Sequence, residues 1–285
     1  TQFLGKHKIL TAITLLVLLL FIFAAYRMKG PYRSYHIDFV LPQQNTTAPG
    51  VLEVGVAMRK ITPDLTQYDS WTDADNDAHY NPRKGDSYQD RNSNGRFDAV
   101  WLAGFSNNRP AKGVHDDLWV RSIALRNNGV TLVMTTIDSI GIFHEKFIRV
   151  RKMLDPTLHI DHAMFSSIHD HEAPDTMGIW SYSPFRPLFD HQYMEQVIQA
   201  CKESTEEAVR NLQPAEMICA EVKIDPKGLV KDTRAPQCFD RSLCAMWFRN
   251  PTTQATIATL VSWGNHPEAL GSRNSLITAD FVHYL

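Results

Sequence analysis

An excess of positive charge is missing from this chain. Its 29 Lys and Arg are matched by 31 Asp and Glu, giving a formal net charge of −2. That balance excludes a dedicated nucleic-acid binder, whose footprint is a basic patch or stripe. Cysteine is scarce, 4 in 285 residues, which excludes a disulfide-dense scaffold or a Cys₄ zinc module. No internal repeat recurs, and there is no G-x-S-x-G elbow, P-loop or G-x-G-x-x-G turn, so the classes built on those motifs receive no support. With 44% hydrophobic and 21% charged residues, wholesale disorder and collagen-like repeats are excluded too. The length suits one large domain or two modest ones. What the chain does have is histidine, 12 in all, and their placement carries the functional argument.

One apolar run departs from the globular pattern. Ile9 to Tyr26 (ILTAITLLVLLLFIFAAY) carries no charge, and its 18 residues would span roughly 27 Å as a helix, close to the hydrocarbon core of a bilayer. Lys6, His7 and Lys8 precede it; Arg27 and Lys29 follow. The run is longer than the apolar part of a usual signal peptide. Cleavage after Ala25 would also put bulky Phe23 where a small residue is wanted. It therefore reads as an uncleaved single-pass membrane anchor at 9–26, behind a short tail at 1–8. Positive charge is nearly balanced across it, and we place the large domain outside the cytoplasm, periplasmic or extracellular. Residues 27–50, with Pro, Gln, Asn and Thr and no periodicity, read as a juxtamembrane linker. They hold an Asn45-Thr46-Thr47 sequon, relevant only in a eukaryotic secretory pathway. The chain stops at Leu285, shortly after a dense polar motif, and reads as a fragment.

Residues 51–285 read as an α/β domain with a mixed sheet and flanking helices. Leu52–Met58 alternates like a strand. Arg121–Leu125 and Val130–Ile137 flank Asn127-Asn128-Gly129, a hairpin signal. The second of these (VTLVMTTI) is almost wholly apolar, as in a strand buried on both faces. Phe143, Phe147, Val150 and Leu154 recur at helical spacing before a further strand at Ala163–Ile168, making a β-α-β unit with parallel strands. A second amphipathic helix runs from about His191 to Leu212, with Met194, Val197, Ile198, Cys201, Ala208 and Leu212 on one face. Further strands are expected at Met217–Ile224, Ala245–Phe248 and Thr256–Trp263. Cys201 and Cys219 read as core residues, whereas Cys238 and Cys244, with five residues between them, could form a disulfide outside the cytoplasm.

Three polar clusters follow the carboxyl ends of expected strands: Asp138, His169-Asp170-His171 and His266. Ligands collect at that edge of open α/β sheets. In extended backbone, residues two apart point the same way, so His169 and His171 can face one ion, and imidazole is a preferred zinc ligand. Singly, each histidine is as well explained by a surface or core role. The pair, joined by His266 from another strand, points to a metal. His115, in Gly113-Val114-His115-Asp116-Asp117, reads equally as a metal neighbour, a substrate contact or a turn cap. Asp138 reads as the hydrogen-bond partner that fixes an imidazole's tautomer, or as a strand-end cap.

A separate acidic insertion spans about 69–98. Asp90, Asn92, Asn94 and Asp98 occupy positions one, three, five and nine of a loop with Gly95 at six, the layout of an EF-hand calcium loop. Position twelve is Trp101 rather than Glu, so the bidentate ligand is missing. Asp73, Asp75 and Asp77 are near enough in sequence to supply the remaining oxygens to a structural Ca²⁺. The competing reading is a solvated loop built on Asx-turns.

The order of these pieces resembles the amino-terminal catalytic domain of the neutral and alkaline (non-lysosomal) ceramidases. The matching landmarks are Val54-Gly55-Val56 with Ile61-Thr62-Pro63, then Gly113-Val114-His115 leading into Trp119-Val120-Arg121. They continue through Thr136-Ile137-Asp138-Ser139-Ile140-Gly141 and Ser167-Ile168-His169-Asp170-His171 with Pro174. The last are Ser262-Trp263 through His266, and Leu276-Ile277-Thr278-Ala279-Asp280. The resemblance covers roughly 51–285, interrupted by the acidic insertion. It implies a zinc-dependent amidase that splits N-acylsphingosine into fatty acid and sphingosine. His169 and His266 would be zinc histidines. His171 would be the second His of the family's His-Thr-His motif, a neighbour of the active centre and a candidate third ligand. The family's other zinc ligands, a Glu and a Tyr, and its active-site Ser would fall beyond Leu285.

The chain departs from that pattern at two places. Glu172-Ala173-Pro174-Asp175 replaces the family's Ser-Gly-Pro-Gly, and Pro267 and Glu268 replace small hydroxyl residues after the second zinc histidine. Taken together, the expected protein is a membrane-anchored zinc hydrolase acting on a lipid amide or related acyl bond, with His171, His115 and Asp138 as candidate catalytic residues. Two alternatives stand beside it. One is another metallohydrolase, since His-Asp-His-Glu-Ala-Pro-Asp is similar to the His-x-His-x-Asp-His run of metallo-β-lactamases but lacks its final His. The other is a non-catalytic, calcium-binding surface protein.

Overall fold

The uncharged apolar run at 9–26 forms most of the first helix, α1 (Gln2–Met28). Its side chains from Ile9 onward are exposed all round, and Lys8–Met28 is long and apolar enough to cross a membrane. The computed structural model describes residues 2–28, 50–181 and 190–285. It divides into two compact units, Thr1–Thr47 and Ala48–Leu285. Most of the expected linker, with its Asn45 sequon, lies outside the described residues.

The larger unit opens with β1 (Glu53–Lys60), followed by the short strands β2 (Ser70–Thr72), β3 (Ser87–Gln89) and β4 (Gly113–Val114). Next come β5 (Trp119–Asn127) and β6 (Val130–Ile137), then α2 (His144–Met153) and β7 (His162–Ser167). Then follow α3 (His191–Arg210), β8 (Gln213–Pro214), β9 (Glu216–Lys223), β10 (Ser242–Arg249), β11 (Thr256–Trp263) and β12 (Leu276–Ile277). The main sheet runs in the order β7-β6-β5-β1-β8. It is mixed, with β6 and β7 parallel and the other neighbours antiparallel. Asn128 and Gly129 both take positive φ (48° and 80°), the left-handed pair that a two-residue hairpin turn requires. The parallel pairing of β6 with β7 across α2 completes the expected β-α-β unit.

Alternation along the strands sorts side chains into two cores. On one face, α3 lies against the sheet so closely that a Cβ on Gly55 would meet the Ala208 carbonyl oxygen at 2.1 Å. Val120, Ile137, Phe147, Val150, Met194 and Val197 fill this layer. Asp190 caps α3 by accepting from the Tyr193 amide, and the predicted face from Met194 to Ala208 is buried, with Leu212 only partly so. On the other face, Val54, Ile123 and Ala215 pack against Phe248 of β10.

That second core belongs to a separate antiparallel sheet, β11-β10-β9. The strands expected at 217–224, 245–248 and 256–263 all form, but not as part of the main sheet. β6 is accordingly buried on one face only: Thr131, Val133, Thr135 and Ile137 are covered by the helices, whereas Leu132, Met134 and Thr136 are half-buried. Every residue of β9 is exposed, so Cys219 is not a core residue, while Cys201 is buried. Cys238 and Cys244 are free thiols, not a disulfide.

The acidic insertion folds on aromatic side chains. Tyr80, Tyr88 and Phe97 lie within 4.5–6.1 Å of one another, and Phe97 meets Trp101 at 5.5 Å. Trp71 donates from its indole N–H to the Pro110 carbonyl (3.2 Å), tying β2 to the domain.

Candidate metal centre

Two loops from two different sheets supply the histidines. Beyond β7 the chain leaves the sheet, and the end of β6 supports it: Ile168 N–H donates to the Ile137 carbonyl and Asp170 N–H to that of Ser139, each at 3.1 Å. His169 takes φ +67°, a left-handed conformation that costs a non-glycine residue energy and tends to persist at functional sites. The His-x-His pair is thus not presented by extended alternation, as the spacing suggests; a strained turn does it. His266 follows β11 of the second sheet, so the three rings do not share a rim of one sheet.

They nevertheless converge. The ring centroids of His169 and His266 lie 4.7 Å apart with planes 3° from parallel, and His171 stands edge-on to both at 5.0 and 4.3 Å. Ligand nitrogens of all three fall within 4.8 Å of one another. His169 Nδ1 sits 2.8 Å from the Ile140 carbonyl; a carbonyl only accepts, so Nδ1 carries the proton and Nε2 has a free lone pair. That Nε2 faces His171 Nε2 at 3.4 Å. Burial, reinforced by the neighbouring His266, His169 and Arg109, lowers His171 to about 4. Neutral imidazole is the ligating form. This donor set fits a zinc ion, for which three protein ligands and an open position are typical of a catalytic site.

The rest of the setting was not evident in the sequence. A Cβ on Gly104, whose φ is +84°, would stand 2.6 Å from the His171 ring, so only glycine lets this segment back the imidazole. Phe105 meets the same ring edge-on at 5.1 Å. Arg109, fully buried, donates to the carbonyls of Ala103 (2.9 Å), His171 (3.3 Å) and Asn274 (3.0 Å) and to the Glu172 carboxylate (2.8 Å). Asn274 donates to the same Glu172 oxygen at 2.8 Å. Burial pushes Glu172 up to about 7 even against these donors. Glu172 adjoins His171 and Glu268 nearly adjoins His266, a proximity in sequence that could have pointed to both carboxylates, which stood out there only as departures from the family pattern. Arg109 and Asn274 come from distant segments and left no such signal.

Other candidates lie elsewhere. Asp138 is not an imidazole partner: its buried carboxylate accepts from Arg121 (2.6 and 2.8 Å) and from the Trp119 amide (2.8 Å), the strand-end cap. Burial raises its pKa despite Arg121. His115 stands outside the cluster, with Nδ1 2.6 Å from Asp116 and its amide donating to the Ile277 carbonyl. In the insertion, Asn92 and Asn94 turn their amide N–H groups to Asp98, while Asp90 accepts from the Asn94 and Gly95 amides. Residues 90–98 therefore hold themselves by Asx-type bonds. The carboxylates that approach one another are Asp73, Asp75 and Asp86, of which Asp73 pairs with Lys112 (3.0 Å) and Asp75 with Lys84 (3.0 Å), while Lys84 also pairs with Asp77.

An open cavity of about 630 Å³ lies beside His266 and Glu268, with Asp232, Arg234, Phe239 and Phe281 in its wall.

No family model and no curated protein sequence matches this chain. Solved structures do. A ceramidase complexed with C2 superposes with a TM-score of 0.58 at 17% identity, over 81% of this chain and 34% of that one. The neutral ceramidase of Pseudomonas aeruginosa superposes with a TM-score of 0.57 at 16% identity, with the same coverage. This chain spans about a third of the length of the ceramidases it matches. Over most of its length, the chain shares the fold of about a third of a neutral ceramidase.

Proposed function

We propose that the protein is a membrane-anchored, zinc-dependent hydrolase that cleaves the amide bond of N-acylsphingosine or a related lipid amide. The observation that carries this reading is the convergence of His169, His171 and His266, from two sheets, within a ceramidase fold. Those imidazoles would hold the metal, with the Ile140 carbonyl orienting His169. Zinc bound there supplies a Lewis acid that acidifies water and polarises the acyl carbonyl. His171, whose pKa burial lowers to about 4 and whose ring is walled by Gly104 and Phe105, would serve there as the third, neutral ligand. The cavity beside His266 gives the substrate a polar and aromatic wall.

α1 would hold the active domain at a lipid surface, with that domain outside the cytoplasm. Calcium is proposed as a structural ion at Asp73, Asp75 and Asp86, whose carboxylates stand within reach of one cation.

The test is metal analysis with an assay of ceramide hydrolysis on the full-length protein. Near-stoichiometric zinc is expected, and His169→Ala loses both zinc and turnover. Full activity without metal, or calcium as the sole bound ion, overturns the reading.

A further inference from the structure

Glu268 has no role so far, yet it touches two of the three imidazoles. One carboxylate oxygen lies 3.2 Å from His266 Nδ1 and the other 3.5 Å from His171 Nδ1. His171 Nδ1 is buried and has no hydrogen-bond partner. The Glu268 side chain is 41% exposed, so it has the freedom to close the remaining gap by a small rotation. The turn that carries it is pinned to the same histidine: the His171 amide donates to the Pro267 carbonyl at 3.1 Å, while Arg109 grips the His171 carbonyl from the other side. Glu268 N–H in turn donates to the His266 carbonyl at 2.9 Å.

A neutral imidazole places its proton on whichever nitrogen faces an acceptor, and this sets which nitrogen remains to bind metal. His169 is fixed in this way by the Ile140 carbonyl. A carboxylate is acceptor-only, with two oxygens, so a single Glu can fix two rings.

We propose that Glu268 is a positioning residue shared by His171 and His266, holding both in the Nδ1–H form so that three Nε2 lone pairs face one point. In that arrangement the carboxylate would stand behind the ligating nitrogens and not among them. This inference rests on the zinc-hydrolase reading for its purpose and on the ring contacts alone for its geometry. Glutamine would be a poor substitute. Its one carbonyl oxygen can serve only one ring, and its NH₂ group would meet the other Nδ1 as a donor, driving that ring to the Nε2–H form that cannot ligate.

The experiment compares the wild type with Glu268→Gln and Glu268→Ala in the full chain, with folding checked by circular dichroism. Zinc affinity, measured by competition with a chromogenic chelator, is expected to fall about 10–100-fold in both variants. Ring ¹⁵N spectra of the zinc-free protein should show Nδ1–H on all three histidines in the wild type and a switch to Nε2–H on one ring in Glu268→Gln. Wild-type zinc affinity in Glu268→Gln, or ring spectra that the substitution leaves unchanged, overturns the proposal. A wild type that binds no zinc refutes the hydrolase reading instead, and the ring spectra still decide the role of Glu268.

Discussion

Gly104 leaves no space for a methyl group: the added carbon would meet the His171 ring at 2.6 Å, on a backbone that only glycine adopts freely. Gly104→Ala therefore costs about 1–2 kcal/mol for the left-handed conformation and about 1–3 kcal/mol for overpacking. The expected outcome is a lower thermal midpoint together with weakened zinc binding; an alanine variant that binds zinc normally would show that the ring does not need this wall. The histidines themselves were legible in the sequence, because His169 and His171 lie two apart after an apolar strand and His266 follows another. Gly104, Arg109 and Asn274 were not. They reach His171 or its neighbour Glu172 through a left-handed turn and a buried guanidinium, and neither leaves a local pattern. Of the two readings of Asp138, the strand-end cap is the one seen, because Arg121, on the adjacent strand, claims the carboxylate.

At the scale of elements, the longer strands could be read from their apolar pattern, but not the sheet each would join, and the short strands β2, β3, β4, β8 and β12 left no such pattern. Apolar alternation fixes which face of a strand is buried and says nothing of the partner. The hairpin at Asn128-Gly129 and the crossover through α2 could be read because local turn chemistry and connection length decide them. The second sheet could not, and His266 depends on it. Phe248 is fully buried in the core between the sheets and belongs to no histidine contact. Phe248→Ala should cost about 3–5 kcal/mol and, by loosening the second sheet against the first, reduce zinc affinity as well. Urea denaturation and the chelator competition read the two effects separately. The insertion is a second case of local layout and partner choice parting company. The calcium pattern at 90–98 was visible in the sequence, whereas the carboxylates that meet are Asp73, Asp75 and Asp86. Removing calcium with a chelator is expected to raise proteolysis within 69–98; unchanged cleavage would mean that the aromatic packing of Tyr80, Tyr88 and Phe97 suffices to hold the segment.

For the molecule as a whole, α1 and the domain from Ala48 onward are separate compact units. Deleting residues 2–28 is expected to move the protein from the membrane pellet to the supernatant with its circular dichroism otherwise preserved. Retention in the pellet would assign membrane attachment to the domain itself. The conformation at His169 bears on the whole protein in another way. Glycine, or asparagine at less relief, would sit more easily at φ +67° than the residue found there. Selection for robustness alone would drift this position away from histidine. With an imidazole there, the fold forgoes stability that glycine would return.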